Sequence, residues 1–337
     1  MKIAVILFNL GGPDSLDAVE PYLRNLFSDR AIIDLPALFR LPLAWFIAKR
    51  RAPITRAIYE KIGGRSPIVP QTEAQARALE AALAERGHDA KAFIAMRAWK
   101  PFAREAARAV KDWGAERVVL LPLYPQYSTA TTASSLEEWA AVARSEGLAT
   151  ATGRVCCYPW ATGFVDSIAE MIRAVEKRPG VDYRLLLSAH GLPKRMIDKG
   201  DPYRWQVEKT AAAIVERLGI VDFSVCYQSR VGPLEWIGPA TDAEIHRAGA
   251  DGRGVILAPI AFVSEHSETL VELDIDYAHV ARDAGVPHYA RVPTVGAKTG
   301  FIAALADLVV EATGSDVVSC GGGRICPREC VRCGFAA

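Results

Sequence analysis

The chain has 337 residues, of which half are hydrophobic and 23% charged, and its formal net charge is +1. That length exceeds one ordinary hydrophobic core and suits two domains, and the composition is that of a globular protein. With charge near balance and no long basic run, nucleic acid is excluded as an expected partner.

The first element, "MKIAVILFNLGG", is too short and breaks too early into Gly-Gly to be the apolar region of a signal peptide. It reads as a buried strand. A cytosolic location is therefore expected, where thiols stay reduced. No stretch is long and apolar enough to span a bilayer. Residues 31–51, "AIIDLPALFRLPLAWFIAKRR", come partway. They are rich in Ile, Leu, Phe and Trp, are broken by Pro36 and Pro42, and end on Lys49, Arg50 and Arg51. Apolar residues beside a basic cluster suit a contact with the surface of an anionic membrane. The competing reading is a core helix with a basic end in water, which the two prolines make awkward.

Further strands are predicted at "KAFIAMRAW", "RVVLLPLYPQYS", "YRLLLSAHGLP", "DFSVCYQSR" and "GVILAPIAFVSEH". Between them lie the amphipathic patterns "TEAQARALEAALAERG", "FAREAARAVKDWG", "FVDSIAEMIRAVEKR" and "RWQVEKTAAAIVERLG". Strands apolar on both faces, alternating with helices, predict parallel sheets covered on both sides. The pattern runs once, pauses near "RSEGLATATGRVCC", and runs again. The expected architecture is α/β, with two doubly wound Rossmann-like domains over 1–150 and 151–312 and a cysteine-rich tail over 313–337.

Ligands of such sheets bind beyond the carboxyl ends of the strands. Those positions here are Asn9–Pro13, Tyr124–Ser135, Ser188–Pro193, Tyr227–Trp236 and Ser264–Tyr277. "NLGGPDS" lacks the G-x-G-x-x-G spacing, so a dinucleotide site is a weak alternative. In "SEHSETLVELDIDYAH", Glu265, Glu268, Glu272 and Asp276 are spaced three, four and four apart, which places them on one helical face. A solvated helix face is the bland explanation. Against it, the stripe holds no Lys or Arg and begins where a buried strand reaches the ligand edge; such carboxylates can share protons or pass a divalent cation along. His190 ends another strand of the same half, before Gly191 and Pro193. It can exchange a proton near neutral pH or ligate a first-row metal, or simply cap the strand. Trp236, in a loop rich in Gly and Pro, can stack on a flat apolar ligand or pack on the core. "YPQYSTATTASS" supplies neutral hydroxyl partners, and Arg50, Arg51 and Tyr59 supply cationic and phenolic ones, for carboxylate groups of a ligand.

Four of the seven cysteines, Cys320, Cys326, Cys330 and Cys333, close the chain with the spacing C-x5-C-x3-C-x2-C. In a reducing compartment a metal site outranks a disulfide. By spacing alone, tetrahedral zinc leads slightly over a [2Fe–2S] cluster.

Taken in order, "NLGGP", "IAKRR", "IGGRSPI", "YPQYS", "SAHGLP", "GDPY", "YQSRVGP", "WIGP" and "PIAFVSEHSETLVELDIDY" resemble the ferrochelatase family over nearly the whole chain. The resemblance implies two Rossmann-like domains with a porphyrin between them and insertion of ferrous iron into protoporphyrin IX to form protohaem. It implies that His190 and Glu268 face each other across the macrocycle at the metal site. Which of the two takes protons and which first holds iron is open in the sequence; the favoured assignment is His190 as proton acceptor, with Glu268 and Glu272 on the other side. Asp276 would continue an acidic path to solvent, and Leu10, Arg51, Tyr59, Tyr127 and Trp236 would line the pocket. Residues 31–51 would form lips resting on the membrane, with a haem acceptor or an upstream porphyrin enzyme as further partners. The family also turns the tail reading to a [2Fe–2S] cluster on Cys320, Cys326, Cys330 and Cys333, with zinc as runner-up. In some members one ligand lies inside the chain, and the pair Cys156–Cys157 is the internal candidate here. The competing functions are coproporphyrin or cobalt insertion on the same fold, and a haem carrier without catalysis, which would have no use for a carboxylate stripe.

Overall fold

The computed structural model describes residues 1–230 and 232–335. Its strands are β1 (Lys2–Asn9), β2 (Asp89–Met96), β3 (Arg117–Pro122), β4 (Thr152–Cys157), β5 (Tyr183–His190), β6 (Phe223–Gln228), β7 (Gly254–Pro259), β8 (Tyr289–Arg291) and β9 (Val317–Ser319). They form two sheets, ordered β2-β1-β3-β4-β9 and β6-β5-β7-β8, and every pairing is parallel. From Ile3 onward β1 is buried throughout, as is all of β7, which is why both read as unbroken apolar runs.

The two-sheet α/β organisation agrees with the alternation in the sequence. The partition of the chain differs from the expected break at residue 150. β4 still belongs to the first sheet, so the chain leaves that sheet only after Cys157. It comes back after the helix Thr299–Thr313, when β9 pairs with β4 at the sheet edge. The start of the tail is thus a strand of the first sheet. β8 and β9 have three residues each, too few to carry a periodic signal.

One continuous core runs between the sheets. It joins Leu79 and Leu83 of one helix to Phe164, Ile168, Phe301 and Leu305 of two others. Two buried glutamines tie the halves together. Gln75 donates from Nε2 to the carbonyls of Val263 (2.8 Å) and Gly296 (3.0 Å), and Gln126 donates to Thr210 Oγ1 and the Ile260 carbonyl, both at 2.9 Å. A buried amide with these partners fixes the relative placement of the sheets, because displacement would strand several polar groups.

The apolar segment near residues 31–51 becomes the first part of a long helix, α2 (Ala37–Glu60), which packs on α1 (Val19–Ser28). Pro36 precedes α2 and Pro42 and Pro53 lie within it. Its buried stripe is made of small residues, Ala44, Ala48 and Ala52, together with Tyr59. The large apolar residues face outward: Leu38 is 78% exposed, Phe39 62%, Trp45 48% and Phe46 54%. This is the reverse of a core helix. No helix among the described residues is long and apolar enough to cross a membrane.

Candidate active site

β5 and β6 end side by side, with His190 opposite Gln228 in the register. Beyond β7 the chain runs into a π-helix, Glu268–Asp276. Such i→i+5 helices are rare and concentrate at functional sites. Their slower turn keeps residues four apart near one face, so Glu268, Glu272 and Asp276 all line one cavity of about 1560 Å³. The cavity is bounded by both sheets' strand ends and by α1 and α2.

His190 Nδ1 donates to Glu268 Oε2 at 3.0 Å, and His266 Nε2 stands 3.5 Å from the same oxygen. The His190 and Glu268 side chains are each about one third exposed (33% and 32%), the remainder being enclosed by protein. Burial alone would raise the Glu268 pKa; the charge and hydrogen bonds of His190, helped by His266, outweigh it and hold the carboxyl well below its ordinary range. Burial also works against a charged His190, but Glu268 and then Glu272 overcome it and raise the imidazole above its usual 6.5. The Tyr203 hydroxyl donates to the His190 carbonyl (3.0 Å), and Phe262 packs edge-on against both imidazoles.

Glu272 is held differently. It accepts from the Ser229 amide (2.8 Å), the Ser229 hydroxyl, Gln228 Nε2 (3.1 Å) and the Tyr277 hydroxyl (3.1 Å). Ser229 adopts φ +62°, a left-handed conformation unusual for serine, which aims both of its donors at this carboxylate. Burial and the nearby Glu268 charge still raise the Glu272 pKa, against the Ser229 hydrogen bonds. The two neighbouring carboxyls are thereby pushed apart, one firmly anionic and one more readily protonated. Asp276, further along the face, is 3.4 Å from Lys61 Nζ. Glu272 also borders a smaller recess of about 320 Å³ with Arg230, Trp236, Asp242 and Tyr277.

Leu10, Arg51, Tyr59 and Trp236 line the large cavity with His190. Tyr59 accepts from Ser267 Oγ at 3.4 Å, and burial pushes its phenol up to about 12, so it stays protonated. Gly191 lets Trp236 approach, since a Cβ there would fall 2.9 Å from the Gln228 carbonyl and 3.3 Å from the indole.

Three expectations are corrected. His190 and Glu268 touch, whereas a ring packed between them would need roughly 7 Å, two van der Waals separations of about 3.5 Å. They therefore belong to one wall of the cavity. Glu265 is not in the stripe. It precedes the π-helix and pairs with Arg291 (2.6 Å) and the Thr294 amide (2.8 Å). Tyr127 faces away from the cavity, against Cys156 and Cys157. In the extended run after β3 the alternate residues Tyr124, Gln126 and Ser128 turn inward instead. His266, Gln228 and Ser229 complete the site; the only signal for His266 was its place inside "SEHSE".

The thiols also regroup. Cys326, Cys330 and Cys333 form a buried cluster, and Cys333 lies in hydrogen-bonding contact with Cys156 and Cys326. Those contacts hold the Cys333 thiol far below its usual range; contact with Cys157 and then with Cys333 pushes Cys156 up, and contact with Cys333 together with burial pushes Cys326 up. Gln206 Nε2 donates to both Cys157 Sγ (3.3 Å) and Cys326 Sγ (3.0 Å). Cys320 stays outside the group, because β9 runs alongside β4 and delivers its thiol beside Trp160. Among the described residues no His, Cys, Asp or Glu side chains are spread around a common metal position; the thiols contact one another.

Two parallel α/β units enclosing a cleft with an imidazole–carboxylate wall define a chelatase-like protein. Its fold is similar to that of the sirohydrochlorin chelatase from Bacillus subtilis subspecies spizizenii in complex with cobalt (TM-score 0.57, 12% identity, 93% of this chain and 96% of that one). The sequence profile "Ferrochelatase" matches residues 2–313. The chain is 52% identical to the ferrochelatase of Phenylobacterium zucineum over 99% of its length and 98% of that protein's. It is also 52% identical to that of Caulobacter vibrioides strain NA1000 over 95% and 94%. The chain belongs to the ferrochelatase family.

The coupled pair has a definite pH behaviour. With His190 raised, its favourable charge is complete below the ordinary histidine value and is lost as pH rises through the raised one. With Glu268 lowered, its contribution is present above about 4.3 and is lost as pH falls through the depressed value. Glu268→Gln removes the anion, so the His190 titration midpoint seen by imidazole NMR should drop, and Glu272 should titrate lower too. An unmoved His190 midpoint would contradict the pairing.

Proposed function

We propose that the chain makes protohaem by inserting Fe²⁺ into protoporphyrin IX at the His190–Glu268 wall. Porphyrin and Fe²⁺ go to haem and two protons, so the site must accept protons while it delivers a dication. The observation that carries this reading is the direct His190–Glu268 contact on the wall of a cavity large enough for a flat macrocycle. Nδ1–H is committed to the carboxylate, which leaves Nε2 as the basic nitrogen for a pyrrole proton. The anionic Glu268 stabilises the imidazolium that results. Glu272 borders both the cavity and the polar recess behind it, which suits a carboxylate that hands Fe²⁺ inward, with Asp276 further along. Leu10, Arg51, Tyr59 and Trp236 then hold the ring. An anaerobic assay following loss of porphyrin fluorescence with Fe²⁺ tests this, with coproporphyrin III as the comparison substrate. Glu268→Gln should bind protoporphyrin but lose about a hundredfold or more in turnover. Undiminished turnover in that variant would overturn the assignment.

The buried thiol group supports a [2Fe–2S] cluster held by Cys326, Cys330, Cys333 and the internal Cys156, in place of a set made only of tail residues. The donor chemistry fits, since such a cluster takes four cysteine sulfurs, and Cys326, Cys330 and Cys333 form one buried group with Cys156 against Cys333. Such a cluster can exchange one electron and fixes the positions of its ligands; zinc would only fix them. Visible spectra of anaerobically purified protein should show the cluster in Cys320→Ser and lose it in Cys156→Ser and Cys326→Ser. Loss in Cys320→Ser alone would restore the tail-only set.

The outward Leu38, Phe39, Trp45 and Phe46, followed by Lys49 and Arg50, suit docking on an anionic bilayer at the mouth of the cavity. Protein should sediment with vesicles containing phosphatidylglycerol, and Leu38→Glu/Phe39→Glu should greatly reduce the bound fraction. Equal sedimentation of both proteins would exclude this face.

A further inference from the structure

The short "CVRC" near the end of the tail sets one residue apart from the thiols around it. Arg332 lies between Cys330 and Cys333, yet it lines the large cavity that holds His190 and Trp236. Its position is built. The Arg332 amide donates to the Gly200 carbonyl at 3.1 Å. Gly200 has φ +89°, and a Cβ there would meet Val331 Cγ2 at 2.6 Å and the Val331 nitrogen at 3.0 Å, so only glycine admits the tail this closely. The next residue, Asp201, is anchored by the Ser128 hydroxyl (3.0 Å), the Thr129 amide (2.7 Å) and the Tyr203 amide (2.9 Å). From the other side Arg324 ties the tail through the carbonyls of Pro327 (2.9 Å) and Cys330 (3.1 Å). The same clasp brings up the segment that carries Arg195 and Lys199, two further exposed cations lining the cavity.

The other cavity-lining arginines are engaged. Arg97 pairs with Asp29 (2.9 Å) and Glu138 (3.3 Å), Arg30 with Asp34 and Arg230 with Asp242. Arg40 donates to the carbonyls of Ser28 and Leu35, and Arg51 lies over the Phe27 ring. Among the described residues, Arg195, Lys199 and Arg332 have no ion pair. Several carboxylates also line the cavity, but none pairs with these three cations, which leaves the cations available to meet an anionic arm of a molecule inside.

We propose that Arg332, with Lys199 and Arg195, forms a carboxylate-binding rim for the porphyrin's acidic side chains, and that the thiol tail serves the reaction by carrying Arg332 to that rim. This rests on the porphyrin reading above. It gives the thiol segment a task that requires no electron transfer: Cys330 and Cys333 flank an arginine whose amide is held on the Gly200 carbonyl.

Equilibrium titration by porphyrin fluorescence tests it, with the full chain and two probes, protoporphyrin IX and its dimethyl ester. Arg332→Ala should weaken binding of the diacid about two- to fivefold, and Lys199→Ala/Arg332→Ala about tenfold. Binding of the ester should not change, and Arg332→Lys should recover part of the loss. Arg328→Ala, an exposed tail charge outside the cavity, should bind both probes like the unaltered chain. If the diacid and the ester weaken together, the arginine is only packing, and the rim is overturned. Unchanged diacid affinity in the double variant overturns it equally. If the unaltered chain binds neither probe, the porphyrin reading itself fails, a result distinct from either of the others.

Discussion

The contact between His190 and Glu268 governs the arrangement around it. Neither group would be charged comfortably in a partly enclosed wall by itself, since burial disfavours both the imidazolium and the carboxylate. At 3.0 Å each supplies the opposite charge that the other needs. The contact requires a strand end and a helix start to meet within hydrogen-bond reach, and neighbouring groups secure both. Tyr203 holds the His190 carbonyl, and Gln228 bridges the Glu268 carbonyl and the Glu272 carboxylate. Arg291 binds Glu265 before the π-helix and Asp274 within it. The pair is therefore held in place by the protein's own hydrogen bonds and ion pairs, a preorganised arrangement.

A row of carboxylates on one helical face should repel itself, and the structure shows how that is managed. Glu268 faces two imidazoles, Glu272 faces a serine, a glutamine and a tyrosine, and Asp276 faces a lysine. Only the first and last partners carry charge, so Glu272 keeps the raised affinity for protons that a neighbouring anion and burial impose. Burial and charge thus set a firmly anionic Glu268 beside a more readily protonated Glu272 on one face, the latter against its own hydrogen bonds.

The tail links the two ends of the molecule. By returning to the first sheet as β9, the chain brings its last cysteines under β4 and its last arginine to the cavity. Gly153 marks how tightly this closes, since a Cβ there would stand 2.1 Å from the Ala312 carbonyl. Gln206 touches the thiols on the helix whose first residue, Tyr203, holds His190. One helix thus contacts both the thiol group and the strand end that carries His190.

Much was legible in the sequence because it depends on local order. The six long apolar runs became strands with their polar ends at the cleft, since a parallel sheet buried on both faces leaves only its strand ends for ligands. His190, Glu268, Glu272 and Trp236 were legible for the same reason. What local order could not specify was which way a side chain turns and which distant residue it meets. Tyr127 and Tyr124 are three apart, yet alternation sends one to the thiols and the other to the cavity. Glu265 is three residues from Glu268, yet an arginine on β8 removes it from the stripe. The tail spacing suggested four ligands from one short window, but pairing of β9 with β4 set Cys320 aside and brought up Cys156 from more than 160 residues away. The sequence by itself determined the layers, the ligand edge and the family. Only the tertiary structure decided the partners, because a partner is defined by long-range packing that no short window of residues contains.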